Sequence, residues 1–169
     1  MKRNLLLLCL LCAALLSGSC RRAAERAAQK IRIEAVESIT PKGLTSAEAV
    51  LRIANGTRYK LLLQEAQFTL CYQSSRVLTL RLYDGFEVPK RSVASVPTRW
   101  RIRIEDPLAL LLVGRDVRAG EAANLFVSYT LAGRGGPASG NRTEEMVPLS
   151  DFLRTFGVTL EEIKNYLMP

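Results

Sequence analysis

Histidine is absent from the 169 residues. That removes Ser-His-Asp and Cys-His nucleophilic arrangements and histidine-ligated zinc centres of the hydrolase type. Cysteine is nearly absent from the body of the chain. Of four cysteines, Cys9, Cys12 and Cys20 lie in the first twenty residues, which leaves Cys71 with no nearby partner for a metal clip or a disulfide framework. Neither GxxxxGK[ST] nor GxGxxG occurs, so no phosphate-cradling loop is present. No apolar run reaches the roughly 20 residues that a helix needs to cross a bilayer. Acidic residues are the minority, 16 against 24 basic, and 18 of the basic residues are arginine. Asp84, Glu87, Glu105 and Asp106 are the carboxylates left for acid–base work of the glycoside-hydrolase kind. Spacing alone does not bring them together, so the expectation is a protein without catalysis, cofactor or metal.

What is present begins at the first residue. Lys2 and Arg3 precede an unbroken apolar run of twelve, Leu5 to Leu16, and Ser17, Gly18 and Ser19 lead directly to Cys20. A short positive start, an apolar stretch too short to span and a small-residue exit form the pattern of a secretory signal peptide. Small residues immediately before a cysteine are similar to a bacterial lipoprotein signal, although Ser17 stands where that signal usually has leucine. This implies cleavage before Cys20 and lipid on its thiol, with simple secretion as the alternative. One acyl chain holds a protein only marginally, so stable anchoring takes more than one. The implied address is the bacterial cell envelope, with the protein membrane-anchored at the periplasmic face or in the outer membrane. Nucleic acid is not expected as a partner there. Losing Lys2 and Arg3 with the signal lowers the net charge from +8 to +6.

Residues 20–30 are alanine-rich and charged with no apolar face, a tether whose arginines lie near lipid headgroups. From Ile31 the period becomes two. Ile31, Ile33 and Ala35; Leu51 and Ile53; Phe68, Leu70 and Tyr72; Leu78, Leu80 and Leu82; and Trp100, Ile102 and Ile104 each alternate with more polar residues. This predicts half-buried antiparallel strands in a sandwich or barrel. Turns are expected at Pro41-Lys42-Gly43, with short hairpins at Asn55-Gly56 and Asp84-Gly85. Asp106-Pro107 caps a short helix over Leu108–Val113 with Gly114 as its stop, or else that run is a further strand. Asn124–Leu131 is the next strand. Gly133 to Arg142 reads as a flexible loop. Beyond it, Thr159 and Glu162 form a capping box for a C-terminal helix carrying Leu160, Ile163 and Leu167, and Ser150 caps a turn at Asp151–Phe156. The domains expected are 1–19 signal, 20–30 tether, 31–134 β domain and 135–169 loop and helix.

The runs VLRIAN, KLLLQEAQFTLCYQ, RVLTLRLYDGFEVP and SVASVPTRWRIRI, followed by Pro107–Val113 and FVSYTLAG, resemble the type 2 late embryogenesis abundant domain. The likeness covers roughly Ile31 to Arg134, with Gly56 where the family usually has proline after its asparagine. It implies an all-β, immunoglobulin-like antiparallel β-sandwich with a short inserted helix and a small C-terminal helical extension. It also implies a binding or protective module rather than a reaction, and it carries over no catalytic residue.

Arg99, Arg101 and Arg103 fall on one face of one strand at steps of about 7 Å. Like charges aligned this way repel. They predict an anion-binding stripe for lipid headgroups, acidic glycans or an envelope protein, unless neighbours such as Glu65 or Glu87 balance them as a solvated face. Cys71 alternates onto the face opposite Phe68 and Leu70 and reads as a structural thiol. A second function class is a carrier that holds a lipid or other apolar ligand between its sheets; an apolar cavity would mark it.

Overall fold

The computed structural model describes residues 30–156 and 159–161. Eight antiparallel strands and two helices make up this part: β1 (Ile31–Pro41), β2 (Ser46–Asn55), β3 (Leu61–Tyr72), β4 (Ser75–Leu82), β5 (Phe86–Val88), β6 (Ser92–Ile104), α1 (Pro107–Ala119), β7 (Leu125–Gly135), β8 (Ala138–Pro148) and α2 (Leu149–Phe156). The strands hydrogen-bond in the order β1-β2-β6-β4-β3-β7-β8, and β5 pairs with the start of β3. The segments β1-β2-β6-β4 and β3-β7-β8 repeat the two-sheet order of an immunoglobulin-like sandwich. Here they are joined edge to edge by the β3–β4 hairpin. The all-β, sandwich-like expectation holds.

The predicted alternation sets which side is buried. Along β6, Ala94, Val96, Thr98, Trp100 and Ile102 turn inward while Ser95, Pro97, Arg99, Arg101 and Arg103 face solvent. Two apolar clusters result. In the first, Val77, Leu125 and Val127 of the sheet meet Ala109, Val113 and Val117 of α1 and Leu149 and Leu153 of α2. Val77 and Leu125 are completely buried, each favouring the fold by about 1.5–3 kcal/mol over exposure. Phe68 lies 5.8 Å from Trp100 and 5.7 Å from Phe152, ring centre to ring centre. In the second cluster, Ile53 of β2 and Val96 of β6 pack on Val88 of β5, with Leu61 and Phe86 beside them. Strands far apart in the sheet order thus meet face to face, which is what closes the sandwich.

The inserted segment is a helix, not a strand, and it is longer than expected. Asp106 accepts the amides of Leu108 and Ala109 at 3.0 and 2.9 Å, and Pro107 opens the helix as predicted. Gly114 does not stop it. The helix runs through Gly114 to Gly120 (φ 76°), where the amide of Gly120 meets Val117 O and that of Glu121 meets Asp116 O, a Schellman end. A β-carbon on Gly114 would meet nothing within 4 Å. Gly114→Ala is therefore expected to raise stability by about 0.5–1 kcal/mol in urea unfolding; a loss would mean that the position needs glycine.

The stretch Gly133–Arg142 is a hairpin, not a flexible loop. Gly135 pairs with Ala138 across Gly136-Pro137, and β7 and β8 stay in register to Phe126 and Pro148. Residues 135–148 therefore belong to the sheet rather than to a separate extension. The two hairpins expected at Asn55-Gly56 and Asp84-Gly85 are not formed: β2 pairs with β1 and β6, and β5 pairs with β3. Asn55-Gly56 lies on the crossing from β2 to β3, whereas Asp84-Gly85 joins β4 to β5, which follow one another along the same edge of β3. Ser150 lies within α2, which starts at Leu149. The predicted helix from Thr159 lies mostly outside the described residues; Leu160 packs on the first cluster.

Candidate functional site

Cys20 lies outside the described residues. Arg99, Arg101 and Arg103 stand together on the outer face of β6, as their alternation requires. The structure adds residues that the sequence did not point to. Arg81 of β4 sits directly opposite Arg101, Thr79 opposite Arg103, and Glu48 of β2 opposite Arg99. Tyr83, just past the end of β4, takes the guanidinium groups of Arg99 and Arg101 at 5.1 and 5.3 Å from its ring centre. This is cation–π range, worth about 0.5–1 kcal/mol at an exposed site.

The charges are partly balanced, and not by the partners expected. Arg99 pairs with Asp84, while Glu65 pairs with Arg81 at 3.4 Å and Glu87 with Lys60 at 2.9 Å. Glu48 pairs with Lys42 at 3.4 Å. Among the described residues, Arg101 and Arg103 have no carboxylate within ion-pair distance, and Arg101 faces a second arginine across the strands. Like charges directly opposite are destabilising, so this pair is the part of the stripe with charge to spare. β6 supplies the spacing, β4 supplies the crowding, and Tyr83 holds Arg101 over its ring. Sequence alternation marked Arg81 as outward. Its meeting with Arg101 depended on β4 pairing β6, which no local pattern encodes.

The four acidic residues weighed for catalysis are each engaged separately. Asp84 holds Arg99, Glu87 holds Lys60, Glu105 accepts the hydroxyl of Thr79 at 2.7 Å, and Asp106 caps α1. Among the described residues, no group of three or more Cys, Asp or Glu is placed to hold a metal. A groove beside Arg99, lined by Ser38, Thr40, Glu48, Val50 and Thr98, is open and of mixed polarity.

Cys71 lies on the outer side of β3 yet is only 3% exposed. Burial pushes its thiol up, opposed by the charge of Arg76 and a hydrogen bond with Ser128. A raised, sealed thiol is a poor nucleophile. In the mature protein it is expected to react with an aromatic disulfide reagent only as fast as the fold opens, and fast labelling without denaturant would contradict this burial.

No protein-family model matches the chain, and no curated protein matches it. A solved structure, described as a protein from Archaeoglobus fulgidus, is similar over 66% of this chain and 90% of its own, at 12% identity and a TM-score of 0.44.

Proposed function

We propose that this protein is a non-catalytic module of the bacterial cell envelope, of the type 2 late embryogenesis abundant kind, anchored by lipid on Cys20 and meeting anionic partners through the outer face of β6. The anchoring part rests on the run Leu5–Leu16 followed by Ser17-Gly18-Ser19-Cys20. Among the described residues no helix is long and apolar enough to cross a membrane. The observation that carries the binding part is Arg101, crowded by Arg81 and next to Arg103, with no carboxylate of the described residues within ion-pair distance of Arg101 or Arg103. Glu65 offsets Arg81 in part, and an anion laid along β6 balances the positive charge that remains.

The test compares the protein with an Arg99→Gln, Arg101→Gln, Arg103→Gln variant for binding to phosphatidylglycerol vesicles and to alginate. Each basic residue near an anionic surface is worth about 1 kcal/mol, and Arg99 is already paired. The expected loss is therefore roughly tenfold or more on at least one of the two surfaces. The remaining binding should depend less on salt. Unchanged binding to both surfaces would overturn the stripe as a site.

A further inference from the structure

Helix α1 has a second face that the core does not use. Ala109, Val113 and Val117 point into the sandwich, whereas Leu108 is 76% exposed, Leu111 71% and Leu112 40%. At 100° per residue these three leucines share one side of the helix with Arg115 and Arg118, one turn on. Asp106 accepts helix amides and Glu105 the hydroxyl of Thr79. Buried Asp116 accepts both Nε and Nη2 of Arg115 and balances that guanidinium, which leaves Arg118 as the cation at the end of this face. The outward face is thus leucine at its centre and arginine at its end. Such a face suits a membrane interface, with leucines among the acyl chains and the Arg118 guanidinium at the headgroups.

The position of the tether favours the same occupant. The described chain begins at Lys30, and Ile31 pairs with Asn55 at one end of the sheet. Pro41 pairs with Ala47 at the other end, where Ala47 pairs with Trp100 shortly before β6 leads into α1. β1 covers about 35 Å between those ends, and the ten residues from Cys20 to Lys30 reach about as far. A lipid at Cys20 therefore permits the module to lie along the bilayer with α1 on it.

We infer that the Leu108–Leu111–Leu112 face of α1 docks on the lipid bilayer to which the chain is tethered. This deepens the proposed function and rests on its anchor, because tethering makes a weak apolar contact effective. It also orients the module. The β6 arginines, on the opposite side of the sheet from α1, then face away from that bilayer toward soluble or neighbouring anionic partners.

The experiment places an environment-sensitive nitrobenzoxadiazole dye on Leu111→Cys, and separately on Arg103→Cys, in the full-length protein purified from a bacterial host. Cys71 is sealed and is not labelled. Each protein is reconstituted into phosphatidylethanolamine vesicles with a minor share of phosphatidylglycerol, carrying a lipid-borne quencher. The expected result is a blue shift and severalfold stronger quenching at 111 than at 103, reversed by adding Leu108→Ser and Leu112→Ser. An anchored protein whose dye at 111 remains aqueous would overturn the inference and leave the anchor standing. Shielding at 111 without lipid quenching would also overturn it: concentration dependence would indicate a second copy, and its absence would indicate the chain's own cover. Intact mass separates the two readings. A protein without lipid that stays off vesicles overturns both, whereas one without lipid, labelled only at 111 in a Cys20→Ser background and still quenched there, supports the docking face without the anchor.

Discussion

Replacing Asn55 with alanine is expected to cost about 3–5 kcal/mol, the largest single-residue effect outside the apolar core. Asn55 is 1% exposed, and its amide does the work of a knot. Nδ2 donates to the carbonyls of Tyr59 and Pro89 at 2.9 and 2.8 Å and more distantly to Val88 at 3.3 Å. Oδ1 accepts the amide and hydroxyl of Thr57 at 3.0 and 2.7 Å. These bonds tie the end of β2 to the crossing loop and to the residues after β5, where the second apolar cluster closes. Removing the side chain strands several buried polar groups, each at about 1–3 kcal/mol. Asn55→Asp keeps the shape and the acceptor but turns a carboxylate oxygen toward backbone carbonyls, so it should be at least as harmful. Urea midpoints measured for both variants decide the matter. A loss below about 1 kcal/mol would mean that water replaces the network.

Gly133→Ala should cost about 3 kcal/mol, for a different reason. A β-carbon at Gly133 would stand 2.5 Å from the carbonyl oxygen of Leu62 and 3.4 Å from Leu63 Cα, both main-chain atoms of the central strand. On the other side of the same bulge, Gly85 comes within 2.6 Å of Leu63 O by the same construction. Backbone cannot swing aside as a side-chain tip does, so β3 and β7 must separate locally, an overpacking cost at the upper end of the usual range. Gly140, paired with Gly133 across the hairpin, has nothing within 4 Å of its own β-carbon. Gly140→Ala is the control and should be neutral or slightly stabilising. Equal losses at the two glycines would contradict the close approach.

These two residues also show where sequence reading reached and where it stopped. Alternation at Phe68–Tyr72, Leu78–Leu82 and Trp100–Ile104 fixed the strands and their inward faces, because a half-buried sheet leaves a period of two in the chain. Strand partners left no such mark. Asn55-Gly56 has the composition of a tight turn, yet its asparagine is buried as a hydrogen-bonding hub that depends on residues more than thirty positions away. The tight β3–β4 turn falls instead at Gln73-Ser74, with Gln73 at φ 54° and no glycine to announce it. The glycines of Gly133–Arg142 have the composition of a flexible loop, although Gly133 is needed for close contact with β3. At the candidate site, the three arginines were legible as a stripe. Asp84 as the partner of Arg99, and Arg81 as the neighbour of Arg101, both depended on β4 lying beside β6. On α1, the unbroken apolar run Leu108–Val113 predicts a helix or a strand but hides which leucines face outward.

The anchor is the central claim of this account, and intact mass with membrane fractionation tests it most directly. The protein and its Cys20→Ala variant are expressed in a bacterial host. The account predicts a chain beginning at Cys20, heavier by the mass of its acyl groups and resident in membranes, with cleavage and lipid both lost in the variant. An unmodified, soluble product from both would contradict it.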